Sequence, residues 1–162
     1  MFNLLKNKSN KEIKLIAPIT GKTIDISEVP DEVFSQKMLG DGIAIKPTGD
    51  LIVAPANGKI TLILKSLHAF VLTLANGTEL LVHIGLDTVS LNGEGFEQLV
   101  EEGTNVKAGT PVIKINRDFI LSKGLSLISP IVITNMDTIK KLTPYTDKDV
   151  ISGQDEIINI NF

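Results

Sequence analysis

Two histidines, His68 and His83, are the residues of this sequence best suited to chemistry near neutral pH. An unperturbed imidazole titrates at about 6.5, and its neutral form is a nucleophile when one ring nitrogen donates a hydrogen bond and the other keeps its lone pair. The two histidines lie fifteen residues apart, on apolar runs that Asn76-Gly77 separates. If these runs form a hairpin, the histidines lie on neighbouring or nearby strands.

Two neighbouring imidazoles can take different roles in the transfer of a chemical group. One acts as the nucleophile, while the second donates to an oxygen of the transferring group and offsets its developing charge. Ser66 stands two residues before His68, which would place both side chains on one strand face, where the hydroxyl can fix the tautomer of the ring. The alternative for each histidine is a packed strand residue whose ring binds backbone.

Other common chemistries lack their usual signals. The sequence has no cysteine, no G-x-x-x-x-G-K-[ST], no G-x-G-x-x-G after a strand, no H-E-x-x-H and no G-x-S-x-G. A net charge of −3 and a single arginine, Arg117, are atypical of proteins that bind nucleic acid. Without a signal peptide or an apolar run of about 18 residues, we expect a cytoplasmic protein.

The elements that must position these residues are strands. Short runs of Ile, Val, Thr and Leu alternate with Gly- and Asn-rich turns about every ten residues. This pattern predicts an antiparallel all-β sandwich or barrel over residues 12–162, with one-turn helices in the connections. Apolar residues at helical spacing occur only in residues 117–124 and 136–142. Asn135 is the candidate N-cap of the second segment.

Residues 1–11 form an expected flexible tail. Its apolar residues, Phe2, Leu4 and Leu5, stand beside Lys6 and Lys8. So few apolar residues predict at most weak contact with an anionic membrane surface.

A short internal repeat links two of the predicted hairpins. Residues 15–22 (LIAPITGK) and 52–59 (IVAPANGK) share the frame apolar-apolar-Ala-Pro-x-x-Gly-Lys. Proline inside a strand run suits an edge or a bulge, and the glycine supplies the following turn. Two similar bent hairpins packed together would close a small sandwich; coincidence is the alternative.

Longer motifs carry a resemblance to a known family. They are residues 28–47 (EVPDEVFSQKMLGDGIAIKP), 51–60 (LIVAPANGKI), 67–70 (LHAF), 79–113, which contains VHIGLDTV, and 130–137 (PIVITNMD). In order and over nearly the whole chain, these segments resemble the glucose-type enzyme IIA of the bacterial phosphoenolpyruvate-dependent sugar phosphotransferase system.

The resemblance implies a β-sandwich phosphocarrier. His83 would accept a phosphoryl group from the phosphohistidine of the histidine phosphocarrier protein and pass it to a cysteine of the IIB domain of a sugar permease. His68 would contact the phosphoryl oxygens, with Ser66, where the family usually has Thr, bonded to it. Such transfer is mostly positioning and charge stabilisation, so two imidazoles suffice without a cofactor. We expect a monomer.

Partner docking is expected around the histidines. Asp31 and Asp87 would receive basic side chains of the phosphocarrier protein, or they serve only as turn and cap residues. An apolar rim would exclude water from the phosphohistidine. Leu64 and Leu81 stand where the family commonly has phenylalanines. The candidates for this rim are Val33, Phe34, Met38, Leu39, Leu64, Leu81 and Val89.

Two alternative functions remain open from the sequence. A small β-sandwich zinc hydrolase could use His68, His83 and Asp87, with Glu79 or Glu94 as a further ligand. A biotinyl- or lipoyl-type carrier is suggested by residues 101–112 (EEGTNVKAGTPV) and by the Ala-Pro repeats. Such a carrier needs a lysine at a hairpin tip flanked by Met or Asp, and we expect none of the fifteen lysines to occupy such a tip.

Overall fold

The computed structural model describes residues 11–162, so the predicted tail lies outside the described residues except for Lys11. The strands are β1 (Glu12–Ile16), β2 (Gly21–Asp25), β3 (Asp41–Pro47), β4 (Leu51–Val53), β5 (Gly58–Ile63), β6 (Ala69–Thr73), β7 (Glu79–His83), β8 (Phe96–Gln98), β9 (Asn105–Val106), β10 (Pro111–Ile115), β11 (Ser129–Ile133), β12 (Lys141–Pro144), β13 (Asp149–Val150) and β14 (Glu156–Asn161). The helical segments are α1 (Glu32–Ser35), α2 (Arg117–Ser122) and three 3₁₀ turns, η1 (Ile26–Glu28), η2 (Thr88–Leu91) and η3 (Met136–Thr138).

Three antiparallel sheets confirm the predicted fold class. The large sheet has eight strands in the order β13-β2-β3-β11-β7-β6-β5-β9, and the two small sheets have the orders β1-β14-β12 and β4-β10-β8. The smaller sheets pack on the large one around a shared core of Ile, Leu and Val. Leu15, Ile52 and Ile160 of the small sheets meet Phe70 and Leu80 of the large sheet in this core.

The two Ala-Pro segments pair with each other, as the repeat indicated. The Ile16 N–H donates to the Pro55 carbonyl at 2.8 Å, and the Val53 N–H donates to the Pro18 carbonyl at 2.7 Å. Both prolines sit at strand ends, where the lost N–H is not needed by a ladder. The repeat is therefore a structural element and not a coincidence of sequence.

Each Ala-Pro segment is also held by a glycine turn from farther along the chain. Ala17 donates to Asp155 and accepts from the Gly153 N–H. Ala54 repeats the arrangement, donating to Thr110 and accepting from Gly109. The two Ala-Pro segments are thus held in the same way, one by the turn between β13 and β14 and the other by the turn between β9 and β10.

The predicted helices are correct in place and partly wrong in length. The α2 helix begins as expected, with the Asn116 side chain accepting from the Phe119 N–H at 3.0 Å. The segment after Asn135 forms only the 3₁₀ turn η3 before β12 begins at Lys141, and Asn135 does not cap it. Its side chain instead bonds the β6–β7 hairpin, so a tertiary contact overrides the local capping signal. In the described part of the chain, every helix is too short to span a bilayer.

Candidate functional site

The β6–β7 hairpin brings the two histidines together. Its turn contains Asn76-Gly77, as predicted, and its register places Ala69 opposite His83. His68 stands just before β6, and its carbonyl accepts from the Ile84 N–H at 2.7 Å. The two imidazoles meet edge to face with their centroids 5.1 Å apart. The hairpin therefore fixes both rings at its open end.

The tautomer of His83 is set by a backbone carbonyl. Nδ1 lies 2.8 Å from the Gly85 carbonyl oxygen. Because a carbonyl only accepts hydrogen bonds, Nδ1 carries the proton and Nε2 retains its lone pair. In the neutral form of the half-buried His83 ring, this bond therefore leaves the lone pair on Nε2.

Gly85 is the residue that sequence reasoning missed in this site. Its φ is +72°, and a Cβ at this position would lie 2.6 Å from Thr88 Cγ2 and 2.8 Å from the Ser126 carbonyl oxygen. Its N–H donates to Ser129 Oγ at 3.2 Å. A glycine two residues after a candidate nucleophile was the available signal, because tight turns with positive φ favour glycine.

His68 is more deeply buried than His83. Its side chain is 6% exposed, and its Nδ1 is buried without a hydrogen-bond partner among the described residues. The expectation that Ser66 shares a strand face with His68 is wrong. Ser66 lies in a turn that the Leu67 N–H closes on the Leu64 carbonyl at 2.8 Å, and Leu67 has a φ of +58°.

Burial lowers the pKa of both imidazoles. For His68, loss of solvent is the main cause, and the neighbouring His83 lowers the pKa further. For His83, burial also dominates, although the bond to Gly85 and the charges of Asp31 and Asp87 oppose it. The net direction keeps both rings neutral at neutral pH, which is the protonation state that a nucleophilic imidazole needs.

Asp31 and Asp87 lie close enough to influence the His83 charge, but they are held differently. Asp31 is the N-cap of α1, and its Oδ1 accepts from the Val33 N–H at 3.0 Å. Asp87 begins η2 with a φ of +60°, and its exposed side chain makes no capping bond. Asp31 is therefore a helix cap, as one of the two interpretations predicted, and it also lies close to His83. The side chain of Asp87 does not cap η2.

Most candidates for the apolar rim are at the surface, with one correction. Phe34 is only 4% exposed, so its predicted place on the exposed rim is wrong. Its ring packs against His83 at a centroid distance of 5.0 Å and belongs to a cluster with Ile24, Ile26, Val29, Ala44, Leu86 and Val132. Leu64 and Leu81 are half-buried. The exposed members of the set are Val33, Met38, Leu39 and Val89.

The geometry does not favour the alternative functions. Within residues 11–162, no three His, Asp or Glu side chains converge to form a metal site. Glu79 lies at the other end of β7 from His83, where Thr134 bonds it. Lys107 does sit in the β9–β10 turn, but that turn packs on the body of the protein, since the Ala108 N–H donates to Asn57 Oδ1 at 2.8 Å.

One groove lies away from the histidines. Its volume is about 590 Å³, and it is lined by Ile13, Asn57, Leu74 and Asn76 with their neighbours, at the turn end of the β6–β7 hairpin. The histidine end instead carries the two imidazoles, and four of the apolar rim candidates are exposed at the surface. Such a surface suits a protein partner better than an enclosed small molecule.

Comparison with known proteins identifies close relatives. The family described as "phosphoenolpyruvate-dependent sugar phosphotransferase system, EIIA 1" matches residues 13–139. The chain is 44% identical to the "PTS system glucose-specific EIIA component" of Staphylococcus aureus, over 99% of this chain and 98% of that protein. It is 46% identical to the "PTS system N-acetylglucosamine-specific EIICBA component" of Klebsiella pneumoniae, over 90% of this chain but only 22% of the longer protein.

A solved structure agrees with these sequence matches. The glucose permease IIA of Mycoplasma capricolum superposes with a TM-score of 0.87 and 39% identity. The superposition covers 93% of this chain and 97% of that structure.

Proposed function

The chain belongs to the EIIA 1 family of the phosphoenolpyruvate-dependent sugar phosphotransferase system, and on that premise we propose that His83 Nε2 is the atom that carries the phosphoryl group. A phosphocarrier role in this system follows from the family. The observation that supports the assignment to His83 is the bond between Nδ1 and Gly85, which leaves the Nε2 lone pair unused beside a second imidazole.

The first transfer takes a phosphoryl group from a donor histidine. The Nε2 lone pair of His83 attacks phosphorus while the bond between phosphorus and the donor ring nitrogen breaks. The electron pair of that bond returns to the donor ring, which is released as a neutral imidazole or takes up a proton. His83 becomes a phosphohistidine whose ring charge the Gly85 carbonyl stabilises through Nδ1–H.

The second transfer passes the group to the IIB domain of a sugar permease. A cysteine thiolate attacks phosphorus, a sulfur–phosphorus bond forms, and the bond to His83 Nε2 breaks and returns its electron pair to the ring. His68 assists by donating to a phosphoryl oxygen as negative charge develops. The buried side of the His68 ring and the packing of Phe34 on His83 hold both imidazoles for this step.

The partners dock on the open end of the hairpin. We infer that the histidine phosphocarrier protein and a IIB domain bind the same face in turn, where Val33, Met38, Leu39 and Val89 are exposed beside two carboxylates. The longer relative from Klebsiella pneumoniae is named an EIICBA component, so its name joins A and B parts in one protein. That name supports a IIB domain as a partner of this chain. The protein acts in this proposal as a cytoplasmic monomer.

Reconstitution with phosphoenolpyruvate, enzyme I and the phosphocarrier protein tests the assignment. Intact mass should show one added phosphoryl group that is labile to acid and stable to base, as a phosphoramidate is. His83→Gln should take up none, whereas the matched variant His68→Gln should still be phosphorylated. Phosphorylation of His83→Gln at the wild-type rate would assign the carrier atom to another residue.

A further inference from the structure

The sequence contains three Asn-Gly dipeptides, Asn57-Gly58, Asn76-Gly77 and Asn92-Gly93. Asn-Gly is the dipeptide in which the asparagine side chain is lost most readily by ring closure, because glycine leaves its backbone nitrogen unshielded. That nitrogen attacks the side-chain carbonyl carbon and ammonia leaves, which yields a cyclic imide. Water then opens either imide bond and gives aspartate or isoaspartate. The reaction needs a free amide nitrogen and a movable side chain.

The first two dipeptides are held by the fold. Asn57 Oδ1 accepts from the Ala108 N–H at 2.8 Å, and Gly58 is the first residue of β5, paired with Val106. Asn76 Oδ1 accepts from the Thr78 N–H at 3.0 Å. The attacking nitrogen at this second site, that of Gly77, already donates to the Leu74 carbonyl at 2.9 Å. Ring closure at either site therefore requires local opening first.

The third dipeptide carries none of these restraints. Within residues 11–162, the Asn92 side chain makes no hydrogen bond and the Gly93 N–H has no acceptor. Asn92 is exposed, and the space around Gly93 is open, since a Cβ there would meet no atom within 4 Å. Asn92 also has a φ of +52°, in the left-handed region that asparagine adopts more readily than most L-residues.

We propose that Asn92 is the site at which the folded protein is modified, by loss of its side-chain amide to water through the Gly93 imide. Both products add a negative charge at the C-cap of η2, the turn that begins at Asp87 and presents Val89. Isoaspartate also adds one carbon to the main chain at that position. The reaction itself does not depend on the proposed function, whereas its effect on partner docking does.

Timed incubation of the native full-length chain in mildly alkaline buffer tests the proposal. Peptide mapping should find the mass change from NH₂ to OH at Asn92 at least roughly tenfold faster than at Asn57 or Asn76, since each of those sites must break hydrogen bonds first. In parallel, the chain unfolded in urea should convert all three sites at similar rates, because the dipeptides are the same.

Asn92→Gln is the matched control, since glutamine must close a larger ring and should leave the native protein with a single charge form on ion exchange. A native protein in which Asn57 or Asn76 converts as fast as Asn92 would overturn the proposal. So would an Asn92 that converts faster than the other two only in urea. None of these outcomes depends on phosphoryl transfer, so the proposed function stands or falls separately.

Discussion

The two ends of the β6–β7 hairpin differ in how completely their polar groups are hydrogen-bonded. At the turn end, Asn76 Oδ1 accepts from Thr78, and the Asn135 side chain donates to the Gly77 carbonyl at 2.8 Å. Asn135 Oδ1 also accepts from the Glu79 N–H at 2.8 Å. The side-chain bonds of this end all serve to close the turn.

At the open end, the same hairpin keeps groups unpaired and backbone strained. His68 Nδ1 is buried without a partner among the described residues, and Leu67 and Asp87 both have positive φ. Each such residue costs of order 1–3 kcal/mol and persists only where the surroundings enforce it. The contrast indicates that the turn end serves stability, while the open end accepts a cost in stability around the proposed phosphoryl carrier.

Among variants that keep His83, replacing His68 should give the largest loss at the open end. His68→Gln removes the donor aimed at the phosphoryl oxygens while His83 is retained. We expect onward transfer to the IIB cysteine to fall by roughly 10²-fold. Rapid-quench measurement of transfer from the phosphorylated protein provides the rate. Equal onward rates in variant and wild type would make His68 a structural residue and remove the contrast between the two ends.

Replacing Asn135 at the turn end should lower the stability of the protein and leave phosphoryl transfer unchanged. Asn135→Ala removes two side-chain bonds to the hairpin, so the free energy of unfolding should fall by about 1–2 kcal/mol. Phosphoryl transfer at the other end should stay unchanged. Urea denaturation measures the loss, with Asn105→Ala as a control at an exposed position. A transfer defect in folded Asn135→Ala would show that the two ends are coupled.

The pH dependence of stability should report the buried imidazoles. Their pKa values are lowered in the folded protein, so between those values and about 6.5 the unfolded chain binds more protons. The free energy of unfolding should therefore fall as pH decreases from about 7.5 through 6.5. His68→Gln should flatten this dependence. A slope that is unchanged in this variant would mean that His68 titrates alike in both states.

Two carboxylates should affect partner association more weakly. Asp31→Asn and Asp87→Asn should slow phosphorylation by the carrier at low salt, and the difference from wild type should narrow once the Debye length falls below about 10 Å. Thermal stability should barely change for either variant, because asparagine caps a helix about as well as aspartate and the Asp87 side chain makes no capping bond. A lower melting temperature with an unchanged low-salt rate would assign these residues to the fold.

Ser66 should show the smallest effect. Its hydroxyl lies in a turn and forms no hydrogen bond to His68 among the described residues. Ser66→Ala should therefore reduce onward transfer by far less than His68→Gln. If both variants lose the same amount, the hydroxyl acts on His68 only in the complex with a partner.

Local sequence signals predicted the elements that close on near neighbours. Asn76-Gly77 identified the hairpin that joins the histidines, and the Ala-Pro repeat identified the pairing of residues 15–22 with 52–59. In both places the turn residues and the apolar pattern predict the same structure. The local preference of the chain therefore agrees with the tertiary packing.

The errors arose where tertiary packing reverses a local pattern. Phe34 stands in a polar stretch, yet the cap at Asp31 forms a one-turn helix that directs its ring onto His83. The spacing of Ser66 and His68 implied one strand face, but the chain leaves the strand at Leu64 and the two-residue period ends there. The Asp31 cap is a local signal, but neither the burial of the Phe34 ring nor the end of the strand before Ser66 is marked by the neighbouring residues.

The pairing of β1 with β14 has a consequence for how the chain folds. Asn159 Nδ2 donates to Glu12 Oε1 across 147 positions of sequence, and the turn between β13 and β14 contains Gly153, whose N–H donates to the Ala17 carbonyl. During synthesis, the first half of the sandwich must wait for the last strand before its own sheet can close. Such non-local pairing slows folding, and it leaves the edge of β1 unpaired in the nascent chain until β14 emerges.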